Sequence, residues 1–217
     1  MHHKTKTALV ILTATVMLAV ILSRPPVWTR LSEAVEKVTQ PGKPDLLPVT
    51  RIVFPVRNAT ISTIFLDPKY FDGTYGAALK GQWHTGWDLN WGTGDQDLGR
   101  PVYCVGGGVV VFAGQGAGQS WGNIVVVKHN IGGKTRWTRY AHLQDIQCKV
   151  GQTLQAGQQL GTIGKGYHNK WVAHLHFDIF QEKPLTWSHW PGGNKTAVLQ
   201  YYIDPQQFFT TLKAVQP

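Results

Sequence analysis

Nine histidines occur in the 217-residue chain, and apart from His2 and His3 all lie from residue 84 onward. Four fall in three short clusters, His84-Thr-Gly-Trp-Asp88, Tyr140-Ala-His142-Leu and His174-Leu-His176-Phe, the first of which also carries an aspartate. Imidazole titrates near neutral pH, and its neutral form binds transition metals, so such clusters suit proton transfer, metal ligation or both. Two His and one Asp supply three nitrogen or oxygen donors, a set that suits zinc and leaves a fourth position for water. Closed structural zinc sites instead use four protein ligands, usually with cysteines. The donor count points to a catalytic centre holding one Zn2+ per chain. The two imidazoles left over would act beside the metal, accepting a proton from water and stabilising a charged tetrahedral intermediate.

These side chains must be delivered by strands. Apolar β-type runs separated by glycine cover residues 51–56 (RIVFPV), 101–105 (PVYCV), 109–114 (VVVFAG), 123–129 (NIVVVKH), 136–143 (RWTRYAHL) and 171–180 (WVAHLHFDIF). On a strand, residues i and i+2 share a face, so His174 and His176 would project into one space, and His84 would converge with Asp88 from a turn entering WDLNW. With 24 Gly, 12 Pro, 9 Trp and 7 Tyr, many short strands joined by tight turns are favoured over a helix bundle. The expected fold is mainly β, a compact antiparallel sandwich- or barrel-like domain over residues 51–217. Hydrophobic residues at 42% and charged residues at 15% exclude wholesale disorder. The net charge of +9 draws polyanions such as nucleic acid, anionic lipid or acidic wall polymer without choosing among them.

Residues 7–23 carry no charge and follow Lys4 and Lys6, which reads as a membrane anchor or signal segment, with an uncleaved anchor favoured because no small-residue cleavage pattern precedes Arg24. The excess of lysine before it puts residues 1–6 in the cytoplasm and the remainder outside. Residues 24–50 read as a stalk, with helical apolar spacing over 28–40 ended by Pro41-Gly42.

Taken together, the motifs resemble the LytM/lysostaphin-type zinc metallopeptidases, which cleave peptide cross-bridges in bacterial peptidoglycan. The resemblance runs from about residue 80 to 180, through HTGWDLN, the Gly-Arg-Pro-Val at 99–102, the Gly-Gly-Val-Val at 107–110, the Trp-Gly-Asn at 121–123, YAHL, VGQTLQAGQQLGTIG and HLHFDI. It implies the lysostaphin fold, His84, Asp88 and His176 as zinc ligands, His142 and His174 as the catalytic pair, and a peptidoglycan peptide as substrate, with no nucleic-acid partner. It further implies a bacterial envelope location, outside the cytoplasm and anchored through residues 7–23, or secretion if that segment is removed. The chain departs from the family at 167–173, where Tyr-His-Asn-Lys-Trp-Val-Ala replaces a small S-T-G-P run and alters the cleft rim. Gly107 stands where Asp is usual, and Asp178 where Glu is commoner. Two other classes compete: a non-catalytic wall-binding activator on the same fold, and a phosphohistidine carrier suggested by the V-G-Q and A-G-Q turns.

The remaining candidates carry less chemistry. Trp83, Trp87, Tyr140 and Trp171 flank the motifs and could line a substrate groove or pack the core. His129 and His168, without partners at ligand spacing, read as packing and surface residues. Cys104 and Cys148 permit a disulfide in an oxidising compartment.

Overall fold

The structure, a computed structural model, describes residues 46–118, 120–214 and 217. The anchor and stalk helix expected before residue 46 lie outside the described residues, among which no helix is long and apolar enough to cross a membrane. Ten strands form one sheet: β1 (Thr60–Thr63), β2 (Trp87–Asn90), β3 (Pro101–Tyr103), β4 (Gly108–Gln115), β5 (Asn123–Ile131), β6 (Lys134–Ile146), β7 (Thr153–Leu154), β8 (Gln159–Ile163), β9 (Leu175–Phe180) and β10 (Tyr202–Ile203). The main path runs β1-β2-β9-β6-β5-β4-β7, with β10 on β9 and the β3–β8 pair joined to β6. Every pairing between named strands is antiparallel, as the glycine-punctuated apolar runs predicted. Residues 46–50, placed in the stalk by composition, join the sheet edge: Pro48 bridges Asn130, and Asn130 Nδ2 donates to the Leu46 carbonyl at 3.0 Å.

Strand parity sorts the side chains between two faces. On β9, Leu175, Phe177 and Ile179 enter the main core with Trp87 and Leu89 of β2, Tyr140 of β6, and Val125 and Val127 of β5. Ile124 and Val126 point the other way, packing with Trp121 and Ala141. Burial of each large aliphatic or aromatic side chain contributes about 1.5–3 kcal/mol, so both faces of the central strands resist displacement.

Among the described residues, three short α-helices close the edges: α1 (Pro68–Phe71), α2 (Lys195–Tyr201) and α3 (Pro205–Thr211), capped by Asp67, Asn194 and Asp204 respectively. Each cap side chain accepts from an early backbone N–H that has no intrahelical partner. Pro205 at the start of α3 presets its φ, and the helix buries Phe208 and Phe209, the latter stacked on Trp87 at 5.4 Å.

His129 is a packing residue, as expected. It is fully buried, with Nδ1 2.9 Å from the Gly107 carbonyl and Nε2 2.8 Å from Thr138 Oγ1. The carbonyl can only accept, so Nδ1–H donates to it and Nε2 accepts from Thr138. Burial lowers its pKa to about 4 from 6.5. Because the folded value lies below the unfolded one, its contribution to stability is complete above about pH 6.5 and is lost as pH falls toward 4. That amounts to about 3 kcal/mol between pH 7 and pH 4. Denaturant midpoints across this range should therefore fall less steeply for His129→Gln than for the native chain, and parallel profiles would contradict the assignment.

Candidate active site

Three neighbouring strands bring the predicted donors together. Register places Asp88 of β2 opposite His176 of β9, and His176 opposite Ala141 of β6. Both ligand candidates therefore lie on the face turned away from the main core. His84 reaches them from the turn ahead of β2, which runs tightly against β9: a Cβ at Gly86 would lie 2.1 Å from the Phe177 carbonyl oxygen. His84 Nε2, Asp88 Oδ1 and His176 Nδ1 form a triangle with 3.1 Å on every side.

The outer nitrogens define the tautomers. His84 Nδ1 lies 3.0 Å from the Ile64 carbonyl, which can only accept, and His176 Nε2 lies 2.9 Å from the Asp178 carboxylate. Each inner nitrogen then presents a lone pair to the other and to a carboxylate oxygen, an arrangement that repels itself unless a cation sits among the three. Ligands 2.0–2.1 Å from a tetrahedral zinc are about 3.3–3.4 Å apart, so the residues fit such an ion. The electrostatics agree. Burial opposes ionisation of Asp88, yet the His84 and His174 imidazoles bring its pKa well below the usual carboxylate value. Burial likewise disfavours a charged His176, but the Asp178 and Asp88 carboxylates raise its pKa overall. The centre of the triangle favours positive charge.

Behind His176 stands a buried support. Arg139, opposite Asp178 in the β6–β9 register, holds that carboxylate through Nη2 and through Nε at 3.1 Å. Its Nη1 donates to the carbonyls of Trp187 and His189 at 2.9 and 3.0 Å, and its guanidinium lies over the Trp121 ring at 3.9 Å. One side chain thus orients His176 through Asp178 and ties down the segment leading to Trp190.

His142 and His174 complete the cluster, their rings 4.8 Å apart. Both donate Nδ1–H to backbone carbonyls, His142 to Trp121 at 3.0 Å and His174 to Val172 at 2.7 Å, which fixes the orientation of each ring. His174 Nε2 stands 3.6 Å from Asp88 Oδ1. A bulge in β6 aims His142: the register against β5 shifts between residues 123 and 125, and His142 takes a left-handed φ of 63°. Burial first, then the neighbouring His174 and His176, hold its pKa well below 6.5, so it is neutral at pH 7.

These groups floor a cleft of about 510 Å3 walled by Tyr70, Tyr75, Trp121, Trp171 and Trp190. Of the four aromatics proposed for the groove, Trp171 lines it. Trp87 and Tyr140 are buried in the main core because strand parity turns them away from Asp88 and Ala141, and Trp83 stacks on Phe71 at 4.2 Å. Tyr70, Trp121 and Trp190 line the cleft as well, which nothing in the sequence pattern signals. The Tyr70 ring lies 4.9 Å from that of His84, and burial together with the Asp88 charge raises its pKa, so it presents a neutral phenol. His168 is exposed and does not line the cleft. Cys104 and Cys148 are free thiols: Cys104 is buried and donates to the Gly106 carbonyl, its pKa pushed up to about 12 by burial, and Cys148 is half-buried.

Comparison with known proteins places this geometry. The model of peptidase family M23 matches residues 82–187. Lipoprotein NlpD of Yersinia enterocolitica is 30% identical over 81 residues, which is 37% of this chain and 77% of that protein. The chain belongs to peptidase family M23. The peptidoglycan DD-endopeptidase ShyA of Vibrio cholerae is 39% identical over 82 residues, 38% of this chain and 18% of that protein. The chain spans less than a third of the length of most of the curated relatives it matches. The solution structure of lysostaphin shares the fold with a TM-score of 0.53 at 21% identity, covering 77% of this chain and 60% of that one.

Proposed function

We propose that this domain is a zinc-dependent endopeptidase that hydrolyses peptide bonds in peptidoglycan stems or cross-links. The observation that carries the reading is the triangle of three donors at 3.1 Å, two of them imidazole nitrogens whose opposite N–H groups are already committed elsewhere. His84, Asp88 and His176 would hold the ion. Bound zinc would supply Lewis-acid chemistry, polarising a peptide carbonyl and acidifying water. His142 and His174 take a proton from water as it attacks the carbonyl and return it to the leaving amine. The imidazolium formed in between donates toward the oxygen that gains charge. The aromatic walls orient an extended peptide and exclude water. The names of the relatives support a bacterial envelope location, ShyA for peptidoglycan as substrate and NlpD as a lipoprotein. The apolar segment 7–23 would hold the domain at a membrane, outside the cytoplasm.

Incubating the zinc-loaded chain with defined muropeptides and reading product masses tests the reading. Cleavage at a peptide bond, lost on chelation and restored by zinc, is the expected result. Full metal occupancy without any cleavage would overturn it in favour of a binding role. Asp178→Asn should weaken zinc affinity about 10–100-fold, because the carboxylate fixes the tautomer and aim of His176. Competition against a chromophoric chelator measures this, and an unchanged affinity would remove Asp178 from the site.

A further inference from the structure

The cleft is chemically lopsided. Among its described lining residues the only carboxylate is Asp88, committed to the donor triangle, and the only lysine or arginine is Lys170. The Lys170 ammonium lies 3.1 Å from Ser120 Oγ and 5.1 Å from the centroid of the Trp171 ring. Neither contact neutralises it, and no carboxylate among the described residues pairs with it. Lys165, five positions earlier in the same loop, is instead engaged by Asp95 at 2.6 Å.

The loop that presents Lys170 is firmly built. Trp171 Nε1 donates to the Ser120 carbonyl at 3.0 Å, Trp171 N to the Lys165 carbonyl at 2.9 Å, and Ala173 N to Asp95 Oδ1 at 3.1 Å. Trp171 lies 6.2 Å from the His142 ring, centroid to centroid, so one indole ring separates the cation from the groups assigned to proton transfer, and all of them line the same cleft. An unpaired ammonium, the one lysine or arginine among the described lining residues of the cleft, recognises an anion. On a peptide that anion is a carboxylate.

We propose that Lys170 is a specificity residue that binds a free carboxylate of the substrate close to the scissile bond, so that acidic cross-linked peptides are preferred over uncharged ones. The inference rests on the peptidase reading above. A charge-assisted contact at a partly solvated rim should favour the carboxylate peptide over its amide by roughly five- to tenfold in kcat/KM. The preference should shrink as salt rises and the Debye length shortens.

The test uses the full chain loaded with zinc and two cross-linked peptides that differ only in a free or amidated carboxylate next to the cleaved bond, with an uncharged oligoglycine alongside. The expected acid-to-amide ratio falls toward one in Lys170→Ala and below one in Lys170→Glu, and oligoglycine is the poorest substrate. A native ratio of one, or a ratio that Lys170→Ala leaves unchanged, overturns the inference while leaving the hydrolytic reading intact. Cleavage of none of the peptides by the native chain refutes the hydrolytic reading instead. Binding of the same pair then decides the inference: a carboxylate preference that Lys170→Ala removes supports it, and equal binding overturns it.

Discussion

His176→Ala is expected to lower hydrolysis of wall peptides by more than about a thousandfold and to abolish stoichiometric zinc retention, while the chain stays folded. The histidine supplies one corner of a three-donor set, and two remaining donors do not hold a catalytic zinc in an open tetrahedral geometry. Its removal leaves Asp178 paired with Arg139, so no bare charge is stranded in the interior. Peptide cleavage, metal content and circular dichroism measured on the same preparation separate the outcomes. Full activity, or full zinc retention with wild-type spectra, would falsify the ligand assignment.

A second large effect is expected at Gly86, for steric rather than electronic reasons. A Cβ there would lie 2.1 Å from the Phe177 carbonyl oxygen and 2.6 Å from Asp178 Cβ. Both neighbours belong to the central strand, held on each side by register with β2 and β6. Neither can yield without shifting the ladder, so Gly86→Ala should destabilise by on the order of 3–5 kcal/mol. That corresponds to a midpoint lower by roughly 10 °C or more. It should also weaken zinc binding, because the same turn sets His84 against Asp88. A thermal scan showing native stability would mean that the turn relaxes away from β9.

Strand parity explains what the sequence made legible. The alternation in LHFDIF put His176 and Asp178 on one face and Leu175, Phe177 and Ile179 on the other, and the structure keeps that division. The same rule excludes Trp87 from the groove, since the residue before Asp88 must face away from it. His142 breaks the rule. On a regular strand it would share a face with Tyr140, yet Tyr140 is in the core and His142 lines the cleft, because the bulge between them inserts one residue. A bulge set by cross-strand register leaves no periodic trace in one strand's sequence. Arg139 was hidden for a related reason: an arginine inside a strand reads as solvent-facing until its opposite number, Asp178, is known. Tyr70 and Trp190 come from segments far apart in the chain, and only the closed fold places both against His84.

Floor and rim have separate origins in this domain. Asp88 and His176 rise from the interior strands and His84 from the turn packed against them, whereas Tyr75, Leu79, Ser120, Lys170 and Trp190 belong to connections outside the ladder. Exchange of a rim connection for one of different length or charge should therefore retarget the domain to another peptide while its melting point and metal content hold steady. The sheet then serves as a chassis on which preference can diversify by insertion and deletion, far from the hydrophobic interior.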